Sequence, residues 1–120
     1  MTKLARGPSP EVRLAVKERE GGRCAACGAW LEGRWFSIQH RRARGTGGDN
    51  SIENLALLCG TSTSPDGCHL LCEQRTQEMH ERGLWLYSWE RSADVPVRLW
   101  TGDVVLLAGD GSYAPLAEAA

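Results

Sequence analysis

The chain has 120 residues and a formal net charge of −1, which fits one domain with a small core that benefits from a metal or covalent staple. No apolar run is long enough to span a bilayer, and the opening "MTKLARGPSPEVR" lacks the apolar stretch of a secretory signal. The expected location is a reducing cytoplasm, where five cysteines read as metal ligands or free thiols rather than disulfides.

Residues 1–8 read as disordered, 9–110 as a single domain and 111–120 as a C-terminal tail. "SPEVRLAVKEREGG" predicts a helix: Ser9 caps it, Pro10 suits its first turn, Val12, Ala15 and Val16 share a face, and Gly21 and Gly22 stop it. "CAACG" at 24–28 reads as a tight turn. "RWFSIQH" at 34–40 predicts a strand, followed by a polar loop over 41–53. "LALLC" at 55–59 predicts a second, buried strand, and "GTSTSPDG" a loop. "CHLLCEQRTQEMHER", 68–82, has no Gly or Pro and predicts one amphipathic helix ending at Gly83. "GLWLYSW", "VPVRLW" and "DVVLLAGDGSYAPL" read as short strands, with "TGD" at 101–103 as a hairpin turn. Trp30 and Trp35 could stack on a nucleotide but are assigned to core packing, and His80 to a surface or packing role.

Charge is divided unevenly along this chain. Residues 1–44 hold ten basic and four acidic side chains, whereas 45–120 hold four basic and eleven acidic ones. A basic half can neutralise phosphates although the total is near neutral. The plainer reading is two solvated faces that attract each other.

Cys24 and Cys27 form a C-x2-C turn, and Cys59 and Cys68 follow with eight residues between them. Zinc takes four ligands in a tetrahedron, and thiolates match its softness. Zn2+ held by Cys24, Cys27, Cys59 and Cys68 would tie the N-terminal turn to the strand–helix unit. Buried free thiols are the alternative. Cys72, four residues after Cys68 on the same helical face, reads as a packed thiol or as a replacement for Cys68.

Beside these cysteines lie His40 at the end of the first strand, Asn54 before "LALLC", and His69 at the helix start. C-x2-C, a His at a strand end, a Gly-rich loop, "NL..LC" and "CH" opening a helix resemble the HNH endonucleases, which belong to the ββα-metal nucleases. Over roughly residues 20–110 the chain is most similar to small HNH proteins of actinobacterial phages, in "QHRRARG.GG", "LCG" followed by "GCH", "GLWL" and "DVPV". The resemblance implies an α+β fold: a small ββα-metal (His-Me finger) core stapled by the four-cysteine zinc site, with an N-terminal helix and C-terminal short strands. It implies phosphodiester hydrolysis of DNA, leaving 5′-phosphate and 3′-hydroxyl ends, within the bacterial host cell if the protein is phage-encoded.

The residues suit that chemistry individually. An unperturbed imidazole can act as a general base near neutral pH, which makes His40 chemically suited to that role. Alone it is a solvated loop histidine; within the constellation it is the candidate base. His69 can offer a ring nitrogen to a divalent cation such as Mg2+, Mn2+ or Ni2+, and Glu73, one helical turn on, can share it. Asn54 can bridge the ends of the 41–53 loop, or simply cap the second strand. Gln39 departs from the wider family, which often keeps a metal-binding carboxylate there; its neutral carbonyl oxygen holds a hard cation less tightly. Arg41, Arg42 and Arg44 are candidate phosphate contacts, and nothing here reads bases. The expected partner is DNA, with no membrane association. The alternatives are a zinc-stabilised nucleic-acid-binding module without catalysis, a phage DNA-packaging accessory acting with terminase, and a purely structural zinc protein.

Overall fold

The computed structural model describes residues 7–116. It is an α+β arrangement of three α-helices and two small antiparallel sheets. None of its helices is long and apolar enough to cross a membrane.

Helix α1 spans Pro10–Arg19. Ser9 has extended backbone and its hydroxyl accepts the Val12 N–H at 3.2 Å, satisfying one of the free donors of the first turn. Pro10 lacks only a donor that would be unpaired there anyway. Val16 is its buried residue. Most of the segment expected to be disordered lies outside the described residues, but Pro8 is buried and its carbonyl accepts from Arg13 Nε.

Strand β1 (Phe36–His40) pairs antiparallel with β2 (Leu55–Cys59), with Gln39 opposite Ala56 and His40 opposite Leu55. All five residues of β2 are buried, which accounts for its unbroken apolar sequence. The strand packs against both α1 and α2 (Cys68–Glu73), and Leu57 also accepts the Ala25 N–H at 2.8 Å from the cysteine turn.

The long helix expected over 68–82 is two helices, α2 and α3 (Gln77–Glu81). Arg75 breaks it with φ +55°, a left-handed conformation that costs a residue with a side chain. Tertiary contacts hold the break open: the Arg75 guanidinium lies 4.4 Å over the Trp85 ring, and Trp85 Nε1 donates to Thr76 O at 2.7 Å. Gly83 then ends α3, and a side chain there would strike Pro96 O.

"GLWLYSW" is not a strand. Its backbone donors go to single partners on three different elements: Leu84 N to Met79 O, Leu86 N to Arg41 O and Tyr87 N to the Glu90 carboxylate. Only one isolated bridge, Arg42 to Leu86, forms. Downstream, β3 (Val97–Arg98), β4 (Val104–Leu107) and β5 (Tyr113–Pro115) make the second sheet in that order. The β3–β4 turn contains 101–103, closed by Leu99 N donating to Asp103 O. Within the described part of the segment read as a tail from residue 111, β5 pairs with β4, and the Tyr113 hydroxyl donates to the buried carboxylate of Glu20.

Candidate metal centre and cleft

The sulfur atoms of Cys24, Cys27, Cys59 and Cys68 all lie within 4.8 Å of one another. A tetrahedral zinc with ~2.3 Å bonds places its thiolates about 3.8 Å apart; Cys27 Sγ and Cys59 Sγ are separated by 3.8 Å. Backbone donors face the same cluster, with the Cys68 N–H on Cys59 Sγ at 3.3 Å and the Cys27 N–H on Cys24 Sγ at 3.5 Å. Such donors stabilise thiolate over thiol. The hydrogen bond from Cys68 pulls the Cys24 thiol down to about 5 against the opposing effect of burial, while that bond and burial push Cys68 up. Burial also raises Cys59. The four cysteines can hold a metal ion such as zinc. Cys72 stands outside this group, buried, with its thiol raised by burial to about 12.

A cleft of about 330 Å3 is lined, among others, by Gln39, His40, Arg44, His69 and Glu73. Helix α2 serves both places, since Cys68 enters the cysteine cluster and the next residue, His69, enters the cleft. His69 Nε2 is 3.2 Å from Glu73 Oε1, and His69 Nδ1 is buried with no hydrogen-bond partner. A neutral imidazole carries one donor and one acceptor, so this ring has unspent capacity for a ligand.

His40 is fixed by a residue that the sequence did not single out. Its Nε2 lies 2.7 Å from Asn50 Oδ1. In that contact a proton on Nε2 would be donated to the amide oxygen, which can only accept. Asn50 is ten residues away across a loop, and no local pattern links the two.

Asn54 is 1% exposed. Its Oδ1 accepts the Arg42 N–H at 2.8 Å and the Ser92 hydroxyl, and its Nδ2 donates to Arg42 O and Asp49 O. One amide thus ties both ends of the 42–49 loop to a third segment. The loop is tight enough that a side chain at Gly48 would overlap Arg42 O, so glycine is required there by space. Asp49, which opens the return of the loop, accepts from Ser51 N and Oγ. Those bonds hold its carboxyl below the usual carboxylate range.

The arginine block divides into one interior and two outer residues. Arg41 is corrected from a phosphate contact to an internal brace. It is 1% exposed, and its guanidinium donates to the carbonyls of Gly83, Glu53, Ser92 and Val95 at 2.6–2.9 Å. Burial lowers its pKa to about 9, and those four acceptors offset the cost of burying the charge. Strand alternation explains the inward direction, since Arg41 continues β1 and its N–H still bonds Asn54 O. Arg44 lines the cleft and is exposed. Arg42 lines a separate cavity of about 150 Å3 with Asn54, Arg91 and Ser92, where its Nε has no partner.

The two tryptophans assigned to packing are exposed, Trp30 by 61% and Trp35 by 80%. Trp30 lies under the Arg23 guanidinium at 4.3 Å. His80 packs among aromatic rings. No family model, curated protein or solved structure matches the chain.

Proposed function

We propose that the chain is a metal-dependent DNA endonuclease or nicking enzyme of the HNH type, with the cleft between β1 and α2 as its catalytic centre. One observation carries this reading: Gln39, His40, Arg44, His69 and Glu73 converge on a single cleft from a strand–loop–strand–helix unit. His40, oriented through Nε2 by Asn50, takes a proton on Nδ1 from the attacking water. The water oxygen bonds to phosphorus, and the 3′-oxygen departs. Arg44 binds a non-bridging phosphate oxygen, and Arg42 holds the neighbouring backbone. Asn54 keeps the loop closed so that His40 and Asn50 stay in register. His69, with Gln39 and Glu73, would hold a divalent cation, which would supply charge neutralisation at the phosphate. Cys24, Cys27, Cys59 and Cys68 would hold zinc, which would take no chemical step and would anchor the start of α2.

A non-catalytic nucleic-acid-binding module is the second reading. It is favoured by the sparse donor set: among the described residues, the only group of three or more His, Cys, Asp or Glu side chains close enough to share an ion is the cysteine cluster. Purified protein incubated with supercoiled plasmid and Mg2+, Mn2+, Ni2+ or Zn2+ separates the two. The nuclease reading expects relaxed or linear product with at least one ion, and its loss in His69→Ala. Salt-sensitive DNA binding without cleavage under any ion supports the module instead.

A further inference from the structure

A line of rings leads outward from the cleft wall and takes no part in the chemistry above. Arg75 and Trp85 line the cleft. His80 lies 4.5 Å from the Trp85 ring and 4.4 Å from Tyr87, and Tyr87 stacks on Trp89 at 4.6 Å with the planes 11° apart. Hydrogen bonds fix the inner members: Trp85 Nε1 to Thr76 O at 2.7 Å, His80 Nδ1 with Trp85 O at 3.0 Å, and the Tyr87 N–H to Glu90 Oε1 at 2.7 Å. The outermost ring is uncovered, with Trp89 75% exposed. Stacking on Tyr87 already holds its orientation, so a flat ligand on its outer face would cost little side-chain entropy.

We propose that Trp89 is a stacking platform for an unpaired nucleobase, and that the substrate carries a single-stranded segment beside the bond to be cut. This rests on the nuclease reading of the cleft. Bases inside a continuous duplex have both faces covered by their neighbours. An exposed ring parallel to its own support can gain a stacking partner only from an unpaired or terminal base. Arg44 and Arg75 line the cleft and can meet a phosphate backbone, while Arg91, two residues beyond Trp89 and with a side chain 77% exposed, lies with its Nε 3.7 Å from Asp94 Oδ2. Trp30, also exposed, is less suitable, because the Arg23 guanidinium already lies over its ring.

The test uses the full-length, metal-loaded protein and two labelled oligonucleotides of equal length and sequence, one single-stranded and one a closed-ended duplex. Affinities are measured in the presence of EDTA levels that suppress cleavage but leave the cysteine-held metal in place, checked by metal content. The proposal expects tighter binding of the single strand. Trp89→Ala should weaken that binding roughly tenfold and leave the duplex within about twofold. Trp89→Phe should keep most of the affinity, and tryptophan fluorescence quenching by the single strand should diminish in Trp89→Ala. Equal weakening of both ligands, no effect of Trp89→Ala, or no binding of either oligonucleotide by the parent chain overturns the platform; the last result assigns the exposed ring to a protein partner. The nuclease reading fails separately. Selective loss of single-strand binding in Trp89→Ala, with no cleavage by the parent chain under any ion, retains the platform and removes the enzyme. Cleavage with no response to Trp89→Ala retains the enzyme and removes the platform.

Discussion

The first two residues of α2 face different demands. Cys68 points into a cluster where four sulfurs converge and backbone donors already face two of them. His69, its neighbour, points into an open cleft and keeps a buried ring nitrogen without a partner. The cluster is a closed arrangement in which each member is oriented by another, as a structural metal requires. The cleft keeps unspent hydrogen-bonding and charge capacity, as a binding or reacting site requires. A short helix anchored on one side by a metal can present a polar ring on the other without an apolar core to hold it. The cysteine cluster and the cleft are separated by a single residue step along α2.

The sharpest way to break that contrast is to remove the closed side. Structural zinc sites contribute on the order of 10 kcal/mol to folding, more than a small domain's whole stability. Cys59→Ser is therefore expected to lose its stoichiometric metal, about one per chain in the parent, together with its cooperative thermal transition. Metal analysis and calorimetry read both. A parent chain with metal content far below that level, and a Cys59→Ser variant that melts normally, would leave α2 without its anchor.

The adjacent arginines sharpen the contrast at smaller scale. Arg41→Ala strips the donor from four interior carbonyls, which should cost about 3–5 kcal/mol and lower the melting midpoint by on the order of 15 °C. Arg44→Ala, on the exposed cleft wall, should change stability by less than about 0.5 kcal/mol. It should instead weaken DNA binding at all sequences and reduce the salt slope by about one. A reversal of those two phenotypes would mean that the interior and exterior assignments are exchanged.

The smallest expected effect lies in the loop that carries the cleft's far rim. Ser51 holds the Asp49 carboxyl below its ordinary 3.8. A depressed folded-state value stabilises the fold above the unfolded value and loses that contribution as pH falls through the folded one. Asp49→Asn should therefore melt slightly below the parent at pH 7, with the gap closing towards pH 3. A constant gap across that range would assign Asp49 a role independent of its charge.

Local rules in the sequence reach far in some places and stop abruptly in others. The Ser9 cap, Pro10 and paired glycines mark α1, and the apolar run 55–59 marks a strand whose bounds agree residue for residue. The C-x2-C turn and two further cysteines are spaced for one metal, and their sulfurs do converge. What the sequence hides are matters settled by distant partners. Arg75 breaks a helix that its own segment favours, because Trp85 rewards the break. Arg41 reads like Arg42 and Arg44, yet the strand turns it inward towards carbonyls as far as 54 residues away. Asn50 reaches His40 only once Asn54 has closed the loop. The exposed tryptophans follow the same lesson, since apolar character alone does not assign a side chain to the core.

The proposed role of His40 is to remove a proton from water at a scissile phosphate. It is tested most directly by single-turnover cleavage of supercoiled plasmid, comparing the parent chain with His40→Ala at saturating protein and one fixed divalent ion, with DNA affinity measured alongside. Loss of a general base predicts cleavage slowed by roughly 10²–10⁴-fold with affinity nearly unchanged. Equal cleavage rates in the two proteins would contradict it.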